Sequence, residues 1–187
     1  MKKWNKKKLK EIYEGRIFSL KQQECFHPKL QVEHDFFILE TYDWINVVAT
    51  TEDNKIIFVK QHRLGTDEIT LETPGGIIEK NEDAFDTAKR ELLEETGYSS
   101  NEIILLKKLS VNPAILNNYI HFYYAPNCKK VSEQQLDLAE DIEVLLYKQN
   151  EVIEMIQSGT INHSIIITAL SLFFLSPYCR HRNISLL

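Results

Sequence analysis

Cysteine is scarce in this 187-residue chain, at three residues, and Cys25, Cys128 and Cys179 stand far apart with no paired ligand spacing. That scatter argues against a disulfide scaffold or a cysteine-built zinc site and favours a reducing compartment. Long apolar runs are also missing. The opening MKKWNKKKLKEIYEG is basic, but no apolar run follows it to complete a secretory signal, and the longest apolar stretch near the other end is too short for a bilayer. We therefore expect a cytoplasmic protein with no membrane partner. Nor is positive charge in excess. The chain carries 22 Lys and Arg against 27 Asp and Glu, a formal net charge of −5, which argues against nucleic acid as a partner. It leaves phosphorylated small molecules open, because a metal ion can bridge acidic side chains to a phosphate. Repeats, long linkers and low-complexity tracts are absent too, apart from lysines at positions 2, 3, 6, 7, 8 and 10, which read as a solvated end.

What is present fits one domain with a small addition. Hydrophobic residues make up 43% of the chain, enough for a sizeable core at this length. Short β-rich segments are expected at 16–20, 35–40, 44–50 and 55–60, the last two joined by the polar turn TEDNK, with further strands at 71–73, 103–109, 119–125 and 142–147. Helical patterning appears at 83–96, where Ala84, Phe85, Ala88 and Leu92 share a broad side and Gly97 can stop the helix, at 151–157, and at 163–174, started by Asn162 and ended before Pro177. Helices mixed with many strands predict an α/β or α+β sandwich around one core.

The chemistry sits in PGGIIEKNEDAFDTAKRELLEETGY, residues 74–98. Gly75 and Gly76 permit a close strand-to-helix approach. Glu91, Glu94 and Glu95 fall on one helical face through their three- and four-residue separations. Like charges that close repel, and near a helix C-terminus they also oppose the macrodipole, so the cluster is costly unless a cation or arginine compensates it. Arg90 can neutralise or orient these carboxylates, and Glu82 can pair with Arg90. Hard oxygens in that number suit Mg²⁺, with Mn²⁺ as the alternative, held together with phosphates and waters. Glu91 and Glu95 are the first metal candidates, followed by Glu94. A solvated acidic helix laced with ion pairs is the competing reading of the same spacing.

The run from Gly76 to Gly97 resembles the signature of the Nudix hydrolases, G-x5-E-x7-R-E-U-x-E-E-x-G-U, with Gly76, Glu82, Arg90, Glu91, Leu92, Glu94, Glu95 and Gly97 filling its positions in order. Tyr98 stands where an aliphatic residue is commoner. The resemblance implies an α/β/α sandwich with a mixed β-sheet that hydrolyses nucleoside diphosphates linked to another moiety. Beyond the signature, KQHR at 60–63 and LETPGG at 71–76 look most like ADP-ribose and nucleotide-sugar pyrophosphatases. On that likeness Arg63 holds a phosphate or terminal ribose, Glu72 contacts substrate or water, and the Gly75 carbonyl ligates metal. LAEDIEV at 138–144 resembles the loop that carries the general base, which makes Glu140 the first choice, with Asp141 beside it, Glu133 a weaker alternative, and Glu91 an alternative assistant to the base. The likeness further implies a homodimer formed through the β-rich extension 1–42, of which residues 14–42 are long enough to exchange between subunits and help complete the adenosine site, leaving 43–187 as the catalytic domain.

Substrate grip outside the helix falls to aromatic and polar groups. Tyr42 and Trp44 flank an acidic turn and can stack on a nucleobase, although Trp44 also fits an inward-packing pattern. Asn112, Asn117, Asn118 and His121 surround a polar loop that can shape selectivity, with His121 read as structural. The expected activity is cleavage of a nucleoside diphosphate sugar, ADP-ribose giving AMP and ribose 5-phosphate. A dinucleoside polyphosphate hydrolase and a non-catalytic nucleotide sensor are the alternatives, the intact Glu91, Glu94 and Glu95 set arguing against the sensor.

Overall fold

A computed structural model describes residues 1–179; residues 180–187, the end of the expected catalytic domain, lie outside them. Among the described residues eleven strands and three helices run in the order β1 (Asn5–Glu14), β2 (Phe18–His27), β3 (Val32–Thr41), β4 (Trp44–Thr51), β5 (Lys55–Arg63), β6 (Glu68–Glu72), β7 (Gly75–Ile77), α1 (Ala84–Thr96), β8 (Tyr98–Ser99), β9 (Ile104–Ser110), β10 (Tyr119–Lys130), β11 (Glu143–Lys148), α2 (Gln149–Gln157) and α3 (Ser164–Leu175). The described chain divides into two units. One is Met1–Asp43 with Leu109–Ile120; the other is Trp44–Lys108 with the chain from His121 onward.

The first unit is built on an antiparallel sheet ordered β1-β2-β3. Every residue of β1 is exposed, yet the lysine-rich segment is a strand and not merely a solvated end. Its backbone is paired with β2 from Asn5↔Phe26 to Glu14↔Ser19, and Lys7 reaches Glu33 of β3 as an ion pair. Cross-strand partners of this kind outweigh the poor strand preference of lysine. Trp4 packs edge-on against His27 and Phe36, with ring centroids 4.9 and 5.1 Å away. The 109–120 segment joins the sheet through its backbone: Leu39 N–H donates to the Ile115 carbonyl at 2.8 Å, and Asn117 N–H donates to that of Leu39 at 3.3 Å.

The second unit carries the eight-stranded sheet, ordered β11-β5-β4-β10-β8, with β6 on β5, β7 on β4 and β9 on β10. Period-two alternation assigns its faces. Ile45, Val47 and Ala49 of β4, Ile57, Tyr123 and Ala125 pack with Ala88 and Leu92 of α1. On the opposite face Tyr124 stacks on Phe173 of α3, centroids 4.9 Å apart, and shares a hydrogen bond with Thr50. Helices therefore cover both faces of a mixed sheet, the expected α/β/α sandwich.

Besides β1, the glycine segment and the start of α3 depart from the sequence expectation. The expected strand at 71–73 is five residues long, Glu68–Glu72, followed by a separate short strand, Gly75–Ile77, because Asn46 and Ile45 of β4 pair with the glycines directly. Helix α3 is capped by His163 and not Asn162: its ring accepts the Ile165 N–H at 3.2 Å, while the Asn162 amide is turned to Glu68.

Candidate active site

Helix α1 begins as its sequence dictates. Asp83 caps it by accepting the Phe85 N–H at 2.8 Å, and Gly97 ends it in the left-handed region at φ 73°. In front of it lies the glycine loop. A Cβ on Gly75 would come within 2.6 Å of the Ile45 carbonyl oxygen, and one on Gly76 would collide with the Glu91 carboxylate. The loop thus approaches both β4 and the acidic face of α1 more closely than any side chain permits.

Of the three clustered glutamates, two turn inward. Glu95 is only 5% exposed and its carboxylate accepts the Gly75 N–H at 3.0 Å. Burial and then the nearby Glu91 charge push Glu95 up to about 8, the Gly75 hydrogen bond working the other way. Glu91 is also raised, chiefly by burial, against the pull of Arg90. Glu94 turns toward Arg90 instead, which donates to it at 3.0 Å and to Glu91 at 2.9 Å. Arg90 further grips both oxygens of Glu82, at 2.9 and 3.0 Å, and these bonds bring Glu82 down to about 2. One guanidinium thus spans the helix start and its acidic end, the pairing expected for Glu82.

Arg63 and Glu72 meet across the β5-β6 hairpin. Residues 59, 61 and 63 share a face with 70 and 72, since Val59 pairs with Glu72 and Gln61 with Thr70. Arg63 donates to both Glu72 oxygens at 2.7 Å, and the Thr70 hydroxyl donates to the same carboxylate at 2.6 Å. Burial works to raise Glu72, but these bonds prevail and hold it low. Arg63 is raised, first by the Glu72 hydrogen bonds and further by the charges of Glu95 and Glu140, which lie within electrostatic reach of it. Thr70 was not singled out from the sequence; its place two residues before Glu72 was the available signal.

Glu140 lies on an exposed turn before β11. Its N–H donates to the Asp137 carbonyl and its carboxylate accepts the Asp137 N–H, both at 3.0 Å. Its charge reaches Glu91, Glu95 and Arg63. Glu133 is committed to Lys130, which donates to both its oxygens at 3.1 and 3.0 Å, and Asp141 is exposed. In the second unit Trp44 is half-buried at the start of β4, opposite Ile77. In the first unit Tyr42 is exposed, and Asn118 is buried, its amide donating to the Tyr42 carbonyl at 2.9 Å while its Oδ1 has no partner.

The donor chemistry fits a hard divalent cation. Glu91 and Glu95 offer inward carboxylate oxygens whose mutual repulsion a cation would relieve. Among the described residues no three His, Cys, Asp or Glu side chains form a cage of their own, so a cation here would also need water and phosphate oxygens, as magnesium does.

Comparison with known proteins agrees with this geometry. The chain is 29% identical to the methanol dehydrogenase activator of Bacillus methanolicus across 94% of this chain and 95% of that one. It is 28% identical to the ADP-ribose pyrophosphatase of Bacillus subtilis (strain 168) across 79% and 80% of the two chains. A crystal structure of an ADP compounds hydrolase superposes with a TM-score of 0.81 at 20% identity, covering 92% of each chain, a likeness of fold. The NUDIX domain profile matches residues 43–166, a span holding the glycine loop, the acidic helix, Arg63 and the Glu140 turn, and on that match the chain belongs to the Nudix family.

Proposed function

We propose that this protein hydrolyses the diphosphate bridge of ADP-ribose or a related nucleoside diphosphate sugar, using Mg²⁺ or, as an alternative, Mn²⁺. The observation that carries the reading is the inward pair Glu91 and Glu95, the first half-buried against Gly76 and the second buried and bonded to the Gly75 N–H, with the Arg63 charge acting on Glu95. Glu91, Glu95 and the Gly75 carbonyl would hold the cation, with Glu94 joining them on release from Arg90. A bound divalent cation supplies charge stabilisation at phosphorus and lowers the pKa of water. Arg90 keeps the carboxylates oriented. Arg63, its direction set by Glu72, grips the diphosphate by two-pronged hydrogen bonding. Glu140 takes a proton from the attacking water; the new P–O bond forms as the bridging P–O bond breaks, and ADP-ribose yields AMP and ribose 5-phosphate. Trp44 and Tyr42 are each proposed to contact the base, and Asn118 to act through the Tyr42 backbone that it supports.

The proposal extends to a cytoplasmic homodimer joined through 1–42. Three unpaired cysteines and the exposed apolar side chains Leu9, Ile12, Tyr13 and Phe18 of the N-terminal sheet support it. The relatives named ADP-ribose pyrophosphatase and GDP-mannose pyrophosphatase support the substrate class. A panel of ADP-ribose, ADP-glucose, GDP-mannose, NADH and a diadenosine polyphosphate, assayed with magnesium as phosphate released after phosphatase treatment, tests it. Hydrolysis of a nucleotide sugar is expected, preference for the diadenosine compound would redirect the assignment to dinucleoside polyphosphates, and no turnover on any member would sink it. A second reading follows from the extent of the likeness to the methanol dehydrogenase activator, which includes the N-terminal unit: the same chain would stimulate a dehydrogenase. Unchanged dehydrogenase rates on its addition would remove that reading.

A further inference from the structure

The turn that carries Glu140 is tied down by a side chain outside the family signature. Where α1 ends, its last carbonyls need donors, and the segment just before the Glu140 turn supplies them. Val131 and Ser132 N–H groups donate to the Gly97 carbonyl at 2.8 and 3.2 Å, and Gln135 N–H donates to that of Glu94 at 2.8 Å. The Gln134 side chain completes the set. Its Nε2 has two hydrogens; it donates to the Glu95 carbonyl at 2.7 Å and to the Ile142 carbonyl at 3.0 Å. A single amide therefore closes the neck of residues 135–141 and fastens that neck to the backbone of Glu95 itself. Closing a short loop at its base removes much of the freedom its residues would otherwise have.

We propose that Gln134 is a positioning residue, setting where the Glu140 turn stands relative to the helix that carries Glu91 and Glu95. Glutamine is suited to the task because two carbonyl acceptors, one in α1 and one at the far side of the turn, require two donors on one flexible stem. Glutamate, of equal length, would bring acceptors against acceptors. The inference rests on Glu140 as the base of the proposed hydrolysis, and the test keeps the two apart.

Gln134→Leu and Gln134→Glu are made alone and with Glu140→Gln, and kcat, KM and melting temperature are measured with magnesium on the best substrate of the panel. Each single Gln134 variant is expected to lower kcat about tenfold, the scale of losing an orienting hydrogen bond behind a reacting group, with KM little changed. In the Glu140→Gln background the same changes are expected to cost nothing further, because they act through a group already disabled. An equal loss in both backgrounds, or no loss in the first, would overturn the positioning role while leaving the base intact. Full turnover by Glu140→Gln alone would remove the base, and this inference with it. If neither Gln134 variant folds, hydrogen exchange on the unaltered protein decides: protected Gln135, Asp137 and Glu140 amides support the tether, and exchange at the rate of free chain overturns it.

Discussion

Glu95 concentrates the conflict on which the site depends: a carboxylate buried beside another carboxylate, with the Gly75 N–H and, more weakly, the Arg63 charge in its favour. Replacing it with glutamine removes charge and keeps volume. Glu95→Gln is accordingly expected to lower kcat roughly a hundredfold or more, the scale of deleting one pre-placed electrostatic group, while circular dichroism and metal-free melting stay near the parent's. Steady-state kinetics that match the parent would remove Glu95 from the ligand set. Glu140→Gln should lower kcat by about a hundredfold or more, within the usual range for a general base, and leave cation binding in place; isothermal titration with magnesium separates the two variants. At this scale spacing alone put Glu91, Glu94 and Glu95 on one face. It did not separate Glu95 from the others, because Glu91 and Glu94 both accept from Arg90 whereas Glu95 is buried on the Gly75 N–H, a long-range contact. Glu72 was legible as a site residue, but its engagement by Thr70 and Arg63 required the hairpin register.

Helix α1 and the loop in front of it pose two glycine requirements of different kinds. The atoms nearest to an alanine Cβ at Gly76 are those of a side chain, the Glu91 carboxylate. We expect Gly76→Ala to fold and to lose turnover as Glu91 is displaced. Alanine at Gly97 meets the Ser132 backbone carbonyl at a left-handed φ of 73°. It should cost at least about 1 kcal/mol of stability, read as a lower urea midpoint. The same helix makes a pH prediction. Glu82 titrates near 2 in the folded protein, against 4.5 ordinarily, because Arg90 donates two hydrogen bonds to it. The unfolded chain therefore takes up this proton first as pH falls. The stabilisation is complete above about 4.5 and is lost as pH falls toward about 2. Glu82→Gln should flatten that acid limb of the urea midpoint against pH; an identical limb would assign it to other carboxylates. Its apolar side, glycine stop and signature spacing made α1 readable in sequence, whereas its Asp83 cap came only with the structure. Strand β1 was not, since exposed lysines carry no alternation of burial and the strand exists only through its pairing with β2.

For the whole molecule, a cation that binds the folded chain and not the unfolded one must stabilise it, by about 2.7 kcal/mol at a hundred times its dissociation constant, and so raise its melting temperature with concentration. Magnesium is expected to stabilise the protein in this way, a chelator to reverse the effect, and Glu95→Gln to weaken it; a melting temperature indifferent to magnesium and manganese would count against the cation site. What the sequence by itself determined is the layout of the acidic cluster: one short run whose glycines, arginine and glutamates recur at intervals set by a loop and a helix, so that local geometry alone gathers most of the groups proposed to hold the cation. Only the tertiary structure decided which carboxylates are buried, what holds Arg63 and Glu72, and how the Glu140 turn is fastened through Gln134 to the end of α1. The reason is physical. Intervals of three and four residues are enforced by the helix itself, whereas burial and long-range hydrogen bonds depend on which strands pair and in which register, and no local pattern carries that information.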